Sequence, residues 1–170
     1  MTRPDEWELI ARLLLAATCG AVVGFERERR DRPAGLRTFM LVAMGAALFG
    51  IVSLVGFPAL GPGFDDPGRV AAQVVAGIGF LGAAVIFREG RGVKGITTAA
   101  TVWMMAAIGL AAGAGLYLIT VVATLITFLT LTLVRRAERH YQQLLAARAS
   151  KQLDTSEEAP KRKRRLTPRT

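Results

Sequence analysis

The chain has 170 residues, a net charge of +9 and 52% apolar side chains. Its mean hydropathy of +0.37, with the charges crowded into a few short stretches, excludes an ordinary soluble domain of this size. One cysteine, Cys19, excludes a disulfide within the chain. The single histidine is His140, and no Ser/His/acid set or acid pair falls within the apolar runs. The pattern therefore excludes hydrolase, protease and redox chemistry and points to a protein that is not an enzyme and has no cofactor.

Five apolar runs give the organisation: about residues 9–25, 36–57, 70–87, 95–112 and 116–134. A bilayer core of about 30 Å is crossed by about 20 apolar residues of helix, so the expectation is an all-α polytopic membrane protein with five transmembrane helices. Residues 1–134 form the membrane domain. Before the first run, Arg3 stands against Asp5, Glu6 and Glu8, which does not resemble the basic start of a secretory signal. Trp7 suits the membrane interface, and Arg12, one turn inside, is expected to snorkel back to it. Gly20 and Gly24 lie four residues apart in the first run, a spacing that lets helix backbones approach in lipid.

Residues 26–37, ERERRDRPAGLR, carry five arginines against three acids, with Pro33 and Gly35 marking a turn. The second run has Ala43/Ala47 and Ala46/Gly50 at the same small-residue spacing. Residues 57–69 hold three prolines and three glycines and read as a loop. In the third run Gly77, Gly79 and Gly82 spell GxGxxG. A dinucleotide fingerprint needs a preceding strand and a later acid, and an open sheet cannot stand in lipid. These glycines are instead expected to pack a central helix against several neighbours. Residues 88–94 form a basic, glycine-containing turn, and threonines 97, 98 and 101 open the fourth run. Thr120, Thr124 and Thr127 share a face of the fifth run and are expected to bond their own backbone one turn back.

The turns after the first, third and fifth runs are basic, while the N-terminus and the other turns are acidic or neutral. The positive-inside bias then puts the N-terminus outside and the C-terminus in the cytoplasm. Residues 135–170 hold eleven Lys/Arg against four Asp/Glu and are expected to be a largely disordered cytoplasmic tail. Its KRKRR run suits anionic lipid headgroups, and no nucleic acid is expected as a partner.

The candidate functional and interaction residues cluster at the membrane faces. Glu26, Arg27, Glu28, Arg37, Arg88 and Lys94 fall at the inner boundary, with Thr97, Thr98 and Thr101 just inside. Asp66, Arg69 and Gln73 mark the outer end of the third run. One reading is interfacial anchoring. The sharper one is an inner-face site in which Glu26 pairs with Arg37 or Arg88 and the turn at 90–95 admits a ligand or partner. Carboxylates at the two faces are bridged only by Gln73, threonines and backbone, so no metal site is expected. That pattern argues against a pump while leaving a passive pore in an oligomer.

Three stretches, GAVVGFERERRDRPAGLRT (20–38), DPGRVAAQVVAGIGFLGAAVI (66–86) and VKGITTAATVWMMAAIGLAAGAGLY (93–117), resemble the MgtC/SapB family of bacterial inner-membrane proteins. The resemblance implies a multi-pass protein of the bacterial inner membrane, linked to growth at low Mg²⁺, acid stress and virulence. It implies action as a non-enzymatic modulator of other membrane proteins, with the F-type ATP synthase as a proposed target. The alternative is a channel or transporter for a small solute or cation such as Mg²⁺, acting as a homo-oligomer. The chain resembles a short member that lacks the C-terminal cytoplasmic domain of longer ones.

Overall fold

The computed structural model describes residues 4–56, 66, 68–90, 92–134, 141 and 143. Of the loop expected at 57–69, residues 57–65 and 67 lie outside them and Gly68 and Arg69 already belong to a helix; the tail at 135–170, apart from residues 141 and 143, also lies outside them. Among the described residues five helices follow in order: α1 (Glu6–Glu28), α2 (Leu36–Ile51), α3 (Gly68–Ala84), α4 (Ile96–Gly113) and α5 (Tyr117–Leu129). Two short strands, β1 (Phe87–Glu89) and β2 (Gly92–Lys94), pair antiparallel between α3 and α4. A π-helical turn, Val52–Gly56, extends α2, and another, Thr130–Val134, follows α5. The chain divides into Met1–Phe128 and Leu129–Thr170, and all packing described below lies within the first unit.

The fold is all-α and polytopic. Four helices are long and apolar enough to cross a membrane: Glu6–Glu28, Leu36–Gly56, Ile96–Gly113 and Tyr117–Val134. The fifth, Gly68–Ala84, has 17 residues, about 25 Å of helix against a core of about 30 Å. The glycine-containing basic turn is a hairpin. Gly90 sits at φ +60° between its strands and Gly95 at φ +92° leads into α4. At Gly95 a side chain would also run into the Val85 carbonyl.

Local chemistry explains the helix ends. Glu6 and Glu8 lie in the first turn of α1 and Arg27 in its last, which suits the helix dipole. The chain then leaves through Asp31 at φ +50° and Pro33. Gly35 brings no side chain to cap α2. The Leu36 N–H instead donates to Glu28 Oε2 at 2.7 Å, so the end of α1 caps the start of α2.

The core is made by α1, α2 and α4, with α2 in the middle. Ala16, Cys19 and Val23 of α1 meet Phe39, Ala43, Ala46, Ala47 and Ile51 of α2 and Val102, Met105, Ile108 and Ala112 of α4, all buried. Backbones touch where glycines face them. A Cβ on Gly20 would lie 2.6 Å from the Phe39 carbonyl oxygen, and one on Gly24 would lie 2.8 Å from Leu36 Cα. On α4, Gly109 and Gly113 face the carbonyls of Ala43 and Ala47 even more closely.

The central helix is therefore not the third run, as expected, but the second. A Cβ built on Gly77 or Gly79 meets nothing within 4 Å, and one on Gly82 meets only Ala99, at 3.8 Å. The physical reason is that α2 carries small residues on both of its packed faces, while α3 leans mainly on α4.

Candidate functional site

Two polar clusters lie at opposite ends of the α1–α4 pair. At the C-terminal end of α1, the Arg27 guanidinium donates to Thr98 Oγ1 at 2.6 Å. Both side chains are buried, Arg27 at 4% exposure and Thr98 at 2%. Glu26, buried beside them in sequence at 7% exposure, has Oε1 2.6 Å from Arg30 Nε. The Arg30 N–H is not aligned on that oxygen, and neither Glu26 oxygen has a hydrogen bond among the described residues. The contact is thus an ion pair by proximity, one turn along the same helix.

At the other end, Arg12 Nη1 donates to the Gly113 carbonyl at 2.9 Å and Nη2 to Glu8 Oε1 at 2.5 Å. The Tyr117 hydroxyl donates to the same Glu8 oxygen at 3.0 Å and lies 3.4 Å from Arg12 Nε. Arg12 thus holds one of the carbonyls that the end of α4 leaves without a helical partner. Arg12, expected to snorkel back toward the interface, reaches Glu8 one turn back and the α4–α5 turn. The turn is shaped to receive it, since Gly115 adopts φ +77° and a Cβ there would lie 2.9 Å from Arg12 Nη2. Glu8 four residues before Arg12 was the signal in the sequence for this cluster.

The residues expected at the inner boundary are only partly brought together. Arg27 and Thr98 meet, Glu26 is buried on the same turn of α1 with Arg30 as its ion-pair partner, and Glu28 caps α2. Glu26 pairs with Arg30 rather than with Arg37 or Arg88, which are both exposed. Lys94 is exposed on β2, and Thr97 is exposed with its carbonyl accepting from Thr101 Oγ1 at 2.6 Å. Thr120, Thr124 and Thr127 likewise donate to carbonyls one turn back.

At the start of α3, Asp66 Oδ1 accepts from the Gly68 N–H at 2.9 Å. Arg69 and Gln73 lie on the wall of a cleft of about 910 Å³ between α2 and α3, otherwise lined mainly by apolar side chains and glycine. Among the described residues no group of three or more His, Cys, Asp or Glu side chains is placed to hold a metal ion.

Comparison with known proteins fits this architecture. The MgtC family model matches residues 13–140. Protein MgtC of Salmonella paratyphi A is 48% identical over 143 residues, covering 84% of this chain and 59% of that protein. Protein MgtC of Brucella abortus is 52% identical over 116 residues, covering 68% and 47%. YhiD of Escherichia coli K12, provisionally named a magnesium transporter, is 46% identical over 127 residues, covering 73% and 59%. The chain thus spans less than two thirds of the length of these curated relatives. No solved structure matches it. With its membrane-length apolar helices and these relatives, the chain is a multi-pass membrane protein and belongs to the MgtC family.

Proposed function

We propose that this protein resides in the bacterial inner membrane and modulates other membrane proteins during adaptation to low Mg²⁺ and acid stress, with no enzymatic chemistry of its own. Relatives bearing the MgtC name, and one provisionally named a magnesium transporter, support the physiological setting. The three basic turns support an arrangement with the N-terminus outside, the C-terminus in the cytoplasm and α3 as a fifth span.

One observation carries the choice of a modulator. Ala72, Ala76, Gly79 and Ala83 recur on one face of α3, and all four are exposed. A Cβ on Gly79 meets nothing within 4 Å. In lipid, helices associate through such small-residue faces because there is no hydrophobic drive between them. The α1–α2–α4 core uses its small residues on itself, whereas α3 turns this face outward, where a helix of another membrane protein fits. The F-type ATP synthase is the partner that family resemblance suggests.

The second reading is an oligomeric channel or transporter around α3, favoured by Arg69 and Gln73 along the α2–α3 cleft. The positive charge of Arg69 disfavours passage of a cation there. Crosslinking in native membranes with mass spectrometry separates the two. A modulator gives adducts to a different membrane protein, lost in Gly79→Leu. A transporter gives adducts only between copies of itself, together with Mg²⁺ flux in proteoliposomes that Gln73→Leu abolishes. The latter result overturns the modulator reading.

A further inference from the structure

We propose that the cleft between α2 and α3 is a phospholipid site, in which an acyl chain lies along the cleft and an anionic headgroup phosphate rests on Arg69. This goes beyond the modulator reading and does not depend on it, since the cleft and the small-residue face occupy different sides of α3.

The cleft has two walls and a floor. Leu41, Val42, Gly45 and Phe49 of α2 form one wall. Val70, Val74, Gly77, Ile78 and Leu81 of α3 form the other, with Ala106 of α4 beneath. Its depth comes from two missing side chains on facing walls. A Cβ on Gly45 or on Gly77 meets nothing within 4 Å. A space so lined cannot hold ordered water, which needs two to four polar partners. Left empty, it would cost its lining atoms their dispersion contacts. In a bilayer the apolar matter at hand to fill it is lipid.

The polar residues of the lining are confined to one end. Arg69 and Gln73 lie in the first turns of α3, one helical turn apart, and everything beyond them on that wall is apolar. No described carboxylate forms an ion pair with Arg69. From Arg69 to Leu81 the helix rises about 18 Å, close to the roughly 15 Å of hydrocarbon in one leaflet. The cleft therefore places a cation at headgroup level and an apolar trough the length of one acyl chain beneath it. A guanidinium pairs with phosphate through parallel N–H donors, and the Gln73 amide can donate to the glycerol ester region. A partner helix seated in the cleft would instead leave Arg69 without an anion.

The test is native mass spectrometry of the full chain in detergent, with dioleoylphosphatidylglycerol, dioleoylphosphatidylcholine or glycerol 3-phosphate added. The expected result is one retained phosphatidylglycerol, held about tenfold more tightly than phosphatidylcholine, whose choline cation offsets the attraction of its phosphate for Arg69. Glycerol 3-phosphate should not bind, because the acyl chain supplies the cleft contacts. Arg69→Gln should abolish the preference between lipids and Arg69→Lys should restore part of it. Gly77→Leu and Gly45→Leu, filling the cleft from either wall, should each remove the adduct. Equal retention of the two lipids in the wild type, or full retention in both leucine variants, overturns the proposal. So does a photocrosslinker at position 77 that captures a polypeptide in native membranes instead of a lipid.

Discussion

The Arg27 guanidinium donates to Thr98 Oγ1 at 2.6 Å with both side chains buried between α1 and α4. The second arginine of α1 treats α4 the same way. Arg12 lies 15 residues before Arg27, and its acceptor, the Gly113 carbonyl, lies 15 residues after Thr98. Fifteen residues of helix rise about 22 Å on either element. Two antiparallel helices are thus clamped at both ends by arginines of one helix gripping oxygens of the other, while the glycines of both pack on α2.

Removing the Thr98 hydroxyl takes one acceptor from a buried guanidinium. Thr98→Val is expected to lower stability by about 1.5–3 kcal/mol, the range for a hydrogen bond to a charged group. Thr98→Ser should keep the bond and cost far less. Reversible unfolding in mixed detergent measures both, and equal stability of Thr98→Val and wild type would show that the contact contributes nothing net.

The opposite clamp divides unequally. Glu8 is partly exposed, at 42% of its side-chain surface, so its ion pair with Arg12 is screened by solvent. Arg12 is 12% exposed and satisfies a helix-end carbonyl. Arg12→Gln is therefore expected to cost about 1–2 kcal/mol, and Glu8→Gln clearly less. The salt dependence should differ too. Added NaCl should narrow the gap between wild type and Glu8→Gln and leave the loss in Arg12→Gln largely in place.

Much of the fold is legible from the sequence because each helix is a continuous apolar run ended by charges, proline or glycine. The weight given to the glycines is not legible. Gly20, Gly24, Gly77, Gly79, Gly109 and Gly113 all sit in apolar helices, and nothing local tells a glycine pressed on a carbonyl from one facing open space. That depends on which helix is central, a property of the whole packing. The pairing of Glu26 fails to read for a similar reason. Arg30 one turn along competes with Arg37 and Arg88, and the near neighbour on the same helix wins.

The glycines therefore make a graded prediction. Alanine at Gly109 or Gly113 would press a methyl group on the Ala43 or Ala47 carbonyl of the facing helix. Overpacking of this kind costs typically about 1–3 kcal/mol, and here rigid backbone must give way. Alanine at Gly77 or Gly79 meets no neighbour, and it removes the entropy that glycine loses in a helix, a gain of up to about 1 kcal/mol. The two pairs should move the unfolding midpoint in opposite directions, and the same sign for all four would contradict the central position of α2.

Position 79 also separates folding from function. Because a Cβ there meets nothing within 4 Å among the described residues, Gly79→Leu should leave the unfolding midpoint and the oligomer profile in detergent close to those of Gly79→Ala. The bulky side chain nevertheless stands on the face formed with Ala72, Ala76 and Ala83, where close helix approach in lipid depends on small residues. Crosslinking to another membrane protein should fall several-fold in Gly79→Leu and be preserved in Gly79→Ala. Gly109→Ala supplies the complementary control: it should lower stability while leaving crosslinking of the folded fraction intact. If Gly79→Leu crosslinks like wild type while Gly109→Ala does not, the partner is recognised through the packed core, and the outward face of α3 has no part in it.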